Sequence, residues 1–431
     1  MSQAFGNRQR LTIALSYWSA TFCEGAAAII LPLYFSAQGI KASVIGVMFF
    51  TYELFSLLMN FFSGWLINRV GYKAAVLLSL TGHTLASLGY LAVSKDLGTM
   101  GVLVLVNLLR ALRGTGKELI LTTSSAWLKQ DTERRSRFLA VQFLLGGREG
   151  VKGAGLLTGG LLLTAFGFRE AFMVLALITF LCIPGCLFIL PDFREEVRVP
   201  ARDFFLVRRK LHKLAVVRAL LYSGRDMWLV IAVPVYLQAI GIRSAVISTV
   251  LASGFMIFGA AQVFGTWVMR GRVGFRQRQF KGKIRFRDSI SSSHALAALV
   301  PLGIFFIDKT NIYQFAGLVF TYNFMAGIST TAHNHLHIKY SRRRRSSVDV
   351  AYYKTIAQMG KVFAVLSSGI IYQYGGIRAC CLAGAALVLL SALNGLGLRK
   401  MVRPDEGMGN DPLPAAGETG SPDGSGKQNA L

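Results

Sequence analysis

The chain has 431 residues, of which 53% are hydrophobic and only 16% charged, and its mean hydropathy is +0.48. That balance excludes an ordinary soluble globular protein, which would carry more charge. A net charge of +26 would suit nucleic-acid binding in a soluble protein, but here the basic residues cluster in alternate loops between apolar runs, with no interleaved aromatic platform, so no nucleic-acid partner is expected.

Apolar runs of roughly 17–25 residues, the length that crosses a bilayer as a helix, follow one another from Leu11 to Leu398. They predict an all-α membrane protein of twelve transmembrane helices, at residues 11–35, 44–68, 74–93, 99–127, 138–164, 170–190, 214–238, 244–269, 290–307, 313–338, 349–373 and 377–398. Arg8 and Arg10 precede a full-length first span, with no cleavable signal peptide, so that helix stays as an anchor. Residues 1–190 form one six-helix half and 214–398 the other. The Pro-, Arg- and acid-rich segment 191–213 links them, and residues 399–431, poor in large apolar side chains, read as a disordered tail.

The basic loops set the orientation. About 31 Lys and Arg fall on the side that holds both termini and about 6 on the other, which makes the first side cytoplasmic. Arg270 to Arg287 and the run from Lys339 through Arg342–Arg345 dominate and suit anionic lipid headgroups. The inner membrane of a bacterium is the expected location.

The halves repeat. Glu24, Pro32, Tyr34 and Gly39-Ile40 share their spacing with Asp226, Pro234, Tyr236 and Gly241-Ile242. Lys152, Gly160, Gly167 and Arg169 share theirs with Lys361, Gly369, Gly376 and Arg378. Many secondary transporters are duplicated in this way, with the substrate site where the halves meet near the bilayer midplane. The five cysteines, Cys23, Cys182, Cys186, Cys380 and Cys381, all lie in apolar runs without metal-ligand or disulfide spacing. No nucleophile elbow, phosphate loop or hydrolase metal motif is present, and neither an enzyme nor a cofactor is expected.

After the second span comes Gly64-Trp-Leu-Ile-Asn68-Arg69-Val-Gly71-Tyr-Lys73. This resembles the major facilitator superfamily signature Gly-x-x-x-Asp-Arg-x-Gly-Arg-Lys, which latches a charge network on the cytoplasmic side. Asn68 replaces the usual Asp and cannot form an ion pair. Arg110-Ala-Leu-Arg113-Gly114-Thr-Gly116 resembles the Arg-x-x-Gln-Gly-x-Gly pattern of the fourth helix, with Arg113 in place of Gln. Proton-coupled members use that first arginine in coupling. Within the superfamily, Tyr222-x-x-Arg225-Asp226-x-Trp228, Val350-Ala-Tyr352-Tyr353-Lys354 and Tyr52-Glu53-Leu54 look like the organoarsenical-efflux permeases and the magnetosome-associated members. The first helix and Leu119–Ser125 depart from the arsenical-efflux pattern, which leaves both subgroups open. One resemblance implies export of an arsenylated or phosphorylated three-carbon acid; the other implies iron or counter-ion traffic in a magnetosome membrane. A non-transporting scaffold or receptor on the same fold is a further alternative.

Ionisable side chains within a span need a partner or a wet cavity. Arg110, Arg113 and Lys117 follow a helical i, i+3, i+7 spacing, and Arg148, Lys152, Arg225 and Lys361 also fall inside spans. Together they are the candidate anion-binding residues, with Lys152 and Lys361 a clamp across the pseudo-twofold axis. Glu24 could neutralise Arg110 or Arg148, and Asp226 could neutralise Arg225 or Lys361. Glu24 and Asp226 are also the candidate proton carriers, because the charge of a carboxyl among cations can follow substrate occupancy. Gly64, Asn68, Arg69, Gly71 and Lys73 are the candidate gate. His333, His335 and His337 alternate near the end of the tenth span and are expected at the inner mouth or at lipid headgroups, without enough ligands for a metal site.

Overall fold

The computed structural model describes residues 6–129, 147–192, 209–274, 286–308, 311–340 and 346–400. The regular elements among them are helices. In chain order they are α1 (Asn7–Ala37), α2 (Ala42–Val70), α3 (Tyr72–Gly89), α4 (Gly98–Lys129), α5 (Arg148–Ala165), α6 (Phe168–Ile189), α7 (Arg209–Leu229), α8 (Ala232–Ala239), α9 (Ser244–Gly274), α10 (Phe286–Leu302), α11 (Ile312–Tyr340) and α12 (Ser346–Lys400). The first third of the expected fifth span, most of the 191–213 linker, the core of the Arg270–Arg287 loop, Arg342–Arg345 and the expected tail beyond Lys400 lie outside the described residues. The linker is shorter than expected at one end, because α7 already begins at Arg209.

Six helical stretches among the described residues are long and apolar enough to cross a bilayer: Asn7–Ala37, Ala42–Val70, Tyr72–Ala92, Phe168–Ile189, Ser244–Gly265 and Ala351–Leu398. The last contains a break at Gly376, whose φ of 65° and ψ of −168° are not helical. The helices α4, α5 and α7 fall short because Arg110, Arg113, Lys117, Arg148, Lys152, Arg218, Arg225 and Asp226 interrupt their apolar runs. The outer surface is apolar. Phe62, Trp65, Leu108, Phe180, Leu181 and Phe188 are all exposed. So much exposed hydrocarbon is tolerated where lipid, not water, is the solvent.

The sequence repeat is also a repeat of backbone geometry. Gly39 and Gly241 both adopt left-handed φ, 75° and 84°. Around them the hydrogen bonds are the same: Gly39 N–H to the Ser36 carbonyl and Ile40 N–H to Phe35, Gly241 N–H to Gln238 and Ile242 N–H to Leu237, each at 3.0 Å. The carbonyls of Lys41 and Arg243 then open α2 and α9 alike. Gly167 and Gly376 likewise share positive φ, 93° and 65°. Only glycine takes such angles without steric cost, so the four glycines fix matching turns.

Two large helix crossings join the first part of the chain to the second, with a smaller one of α1 on α8. The helix α2 packs on α12 and α5 on α9. At the first crossing a Cβ on Gly369 would lie 2.5 Å from the Ala42 carbonyl; at the second, one on Gly160 would lie 2.0 Å from the Ser248 hydroxyl. Small residues permit backbone approach of this kind, which is what binds helices in lipid. Both crossings lie toward the end of the molecule bearing the Gly39 and Gly241 turns, and they close it.

The repeat is broken at one proline. Pro32 sits within the continuous helix α1. At Pro234 the helix separates into α7 and α8 across Val230 and Ile231. Pro234 has no N–H to give the Val230 carbonyl, and its ring crowds that group.

Candidate functional site

A partly open cavity lies between the crossings. Its wall is built by α1, α2, α4, α5, α7, α9 and α12. It extends away from the closed end past Tyr17, Leu121 and Arg148. Six of the seven candidate anion-binding residues line it: Arg110, Lys117, Arg148, Lys152, Arg225 and Lys361. Glu24, Asp226 and Glu53 are the acids in the wall, so cations outnumber carboxylates two to one.

Arg113 stands behind the wall. Its Nε donates to Glu24 Oε1 at 2.9 Å, one terminal nitrogen to Ser87 Oγ at 3.0 Å and the other to the Cys23 carbonyl at 2.9 Å. The expected common face of Arg110, Arg113 and Lys117 therefore splits. At about 100° per residue, Arg110 and Lys117 differ by roughly 20° around the helix, and Arg113 lies roughly 60° from Arg110. That offset suffices to turn Arg113 into the packing between helices. It also settles the partner of Glu24, which is Arg113 and neither Arg110 nor Arg148. His83 Nδ1 lies 3.3 Å from Glu24 Oε1.

Five of the six cavity cations rest on aromatic rings. The Arg110 guanidinium lies 4.4 Å from the Phe49 centroid and 4.2 Å from that of Tyr52, and its Nε donates to the Met48 carbonyl at 3.2 Å. Lys117 lies over Tyr52, 3.7 Å from Glu53 and 3.8 Å from Glu118. Arg148 is 4.0 Å from Glu149. Arg225 pairs with Asp226 at 2.7 Å, which answers the question of Asp226's partner. Lys152 sits 4.5 Å from the Phe255 centroid and Lys361 4.9 Å from that of Tyr222. Among the described residues neither lysine has a carboxylate within 4.0 Å. Lys152 is located by a close helix crossing, since a Cβ on Gly25 of α1 would meet its carbonyl at 2.3 Å.

Tyr52 and Phe255, which line the cavity, and Tyr222 and Arg218, which stand beside its cations, were not identifiable in these places from sequence. Aromatic residues in an apolar run carry no signal of the face they occupy. Tyr222 gathers three cations, with Arg225 at 5.0 Å, Lys361, and Arg218, which also donates to its hydroxyl. Glu53 did carry a signal, as an acid within the apolar second span.

The gate motif lies at the junction of α2 and α3. Gly71 has φ of 90°, and Arg69 rests 5.4 Å from the Trp65 centroid. Asn68 occupies the last turn of α2 and Lys73 the first of α3. Gly64 does not serve a close helix approach here: a Cβ on it would meet nothing within 4 Å.

The histidine triplet is not at a mouth or a headgroup surface as a set. His333 is fully buried, stacked 5.3 Å from His294, with the Tyr353 hydroxyl 3.3 Å from its Nδ1. His337 stacks on Tyr353 at 4.9 Å. The side chain of His335 lies outside the described residues. His294 is held between Ser329 and Ser391 at 2.5 and 2.9 Å. Ser391 gives its single proton to the Val217 carbonyl at 2.6 Å, so it accepts from His294 Nδ1–H. Aromatic packing and neutral hydrogen bonds account for these rings. No group of three His, Cys, Asp or Glu among the described residues is placed to hold a metal ion.

No curated protein matches this chain. The profile of the Major Facilitator Superfamily matches residues 13–348, which run from α1 into α12 and include every cavity-lining residue except Lys361 and Val365. A match of that length fits a chain of apolar-surfaced helices whose charged side chains are gathered inside, and it makes this chain a member of the Major Facilitator Superfamily, a family of membrane transporters.

Proposed function

We propose that the protein is a secondary active permease that moves a small organic anion by alternating access, with twelve spans in two pseudo-symmetric halves, residues 1–190 and 214–398, joined by a cytoplasmic linker. One observation carries the choice of an anion. Six cations and three acids line the cavity, and Lys152 and Lys361, at matching places in the repeat, are within 4.0 Å of no carboxylate among the described residues. Holding unpaired cations away from bulk water is costly, and an anion between them offsets that cost. The aromatic rings beneath the cations supply weaker stabilisation, about 0.5–2 kcal/mol each, that keeps the side chains in place without neutralising them.

A three-carbon acid bearing a phosphoryl or arsenyl group carries negative charge at both ends, which suits two separated lysines. Arg110, Lys117, Arg148 and Arg225 complete the binding wall. Glu24 and Asp226 supply proton coupling, each able to release an arginine, Arg113 or Arg225, when it takes up a proton. Gly64 to Lys73 act at the cytoplasmic gate. Closure at the Gly39 and Gly241 end, with both termini cytoplasmic in a bacterial inner membrane, makes this conformation inward-facing; the direction proposed is export, as the organoarsenical-efflux resemblance implies. A positive cavity opposes passage of iron cations, so a magnetosome role would be counter-anion traffic. A non-transporting scaffold would have no use for unpaired cations.

The test is counterflow. Liposomes containing the purified protein and preloaded with 3-phosphoglycerate should accumulate labelled 3-phosphoglycerate at equal pH on both sides, and should not accumulate glycerol. Absence of exchange for 3-phosphoglycerate and for its arsenylated analogue would remove the anion reading.

A further inference from the structure

The repeat places different side chains at two matching points of the cavity wall. The register that superposes Gly39 on Gly241 superposes Glu53 on Phe255, and the register that superposes Gly160 on Gly369 superposes Lys152 on Lys361 and Glu149 on Gln358. Where α5 crosses α9, Lys152 therefore faces a phenyl ring, Phe255, at 4.5 Å. Where α2 crosses α12, the residue at the place of that ring is a carboxylate.

Glu53 is held for a purpose its surroundings define. The amide of Gln358, one turn before Lys361 on α12, donates to its Oε2, and Lys117 Nζ on α4 lies 3.7 Å from the same atom. Glu53 lines the cavity together with Lys117 and Lys361. Glu149, the acid nearest Lys152 in sequence, is not part of that wall: it lies 4.0 Å from Arg148, and its Cβ packs beside Gly259. The wall beside Lys152 thus carries Phe255 at the place where the wall beside Lys361 carries Glu53.

We propose that Glu53 is a resident counter-anion, a carboxylate of the protein that occupies the place on Lys361 and Lys117 taken by one end of the substrate anion, while Lys152 is the anchor for the other end. The proposal rests on the anion reading. Binding is then an exchange: the incoming oxyanion displaces Glu53 from its cations, and Glu53 returns when the substrate leaves. Lys117 always keeps a negative partner, the wall beside Lys361 always keeps a negative charge, and affinity is held down so that release is not slow. A merely structural tie between α2 and α12 would make a different demand on the same residue, since it needs the hydrogen bond from Gln358 but no charge.

Equilibrium binding of 3-phosphoglycerate to the purified full chain, with sulfate as a second anion, separates these roles. In Glu53→Gln the acceptor for Gln358 is kept and the charge removed; the dissociation constant should fall about tenfold, the scale of one pairwise attraction at a few ångströms in a wet cavity. Phe255→Glu places a second acid, over Lys152, and should weaken binding by a similar factor. The pair Glu53→Gln with Phe255→Glu moves the acid from one half to the other and should return affinity to near the wild-type value. Should Glu53→Gln not fold, Glu53→Asp, which withdraws the carboxylate by one methylene, should bind more tightly than wild type by a smaller factor. Wild-type binding with unchanged or weaker binding in Glu53→Gln and Glu53→Asp would overturn the resident role and leave the anion reading standing. Absence of wild-type binding to both anions would overturn the two together.

Discussion

Arg113 and Glu24 form the most fully satisfied ion pair in the cavity region, with three hydrogen bonds leaving the guanidinium and every partner in the same half of the chain. Breaking a buried pair by removing one partner costs roughly 3–5 kcal/mol, because the other charge is stranded. Arg113→Leu should therefore lower the melting temperature strongly, and Arg110→Leu, whose guanidinium rests on two rings and one carbonyl, should do so less while affecting transport more. Thermal unfolding in detergent beside flux at matched expression would check the contrast. Glu24→Gln keeps an acceptor for Arg113 and cannot titrate. It should leave counterflow of 3-phosphoglycerate at equal pH largely intact and abolish accumulation driven by a proton gradient. A variant that still concentrates substrate would exclude Glu24 as the coupling group. At this scale the sequence was informative about which residues matter and silent about where they point. Charges within apolar runs announce themselves, whereas the turn of about 60° that sends Arg113 out of the cavity depends on a helix rotation that no single residue reveals.

Among the elements, the crossings of α2 with α12 and of α5 with α9 close one end of the molecule. Ser43 on α2 and Gln373 on α12 are hydrogen-bonded across the first of them. Cysteines at both positions, with the five native cysteines replaced, should cross-link readily under mild oxidation. The cross-link should stop transport, and reduction should restore it, because alternating access requires this end to part. Full flux in the cross-linked protein would show that the crossing does not open. Gly160→Val inserts a side chain where even a Cβ comes within 2.0 Å of Ser248. It should shift the population toward a state open at this end, seen as faster labelling, by an impermeant reagent from that side, of a cysteine placed at Val365 in the cavity wall. The turns at Gly39, Gly167, Gly241 and Gly376 were legible from the repeat spacing alone. The break between α7 and α8 was not, because Pro32 and Pro234 have the same local pattern and only one of them interrupts its helix.

For the molecule as a whole, apolar patterning and repeat spacing sufficed to predict a helical membrane protein, and its family followed from two short motifs. The anion reading depends on what patterning cannot give: which charges find partners after folding. Lys152 and Lys361 come from opposite halves and are the cavity lysines that lack a carboxylate within 4.0 Å among the described residues. Groups that act as a unit are non-additive, so a clamp built from them makes a quantitative demand. Uptake of labelled 3-phosphoglycerate into liposomes, at matched protein content, should fall more than about tenfold in Lys152→Ala and in Lys361→Ala, with the double variant little worse than either. Near-normal uptake in both single variants would contradict the clamp and the anion transport built on it.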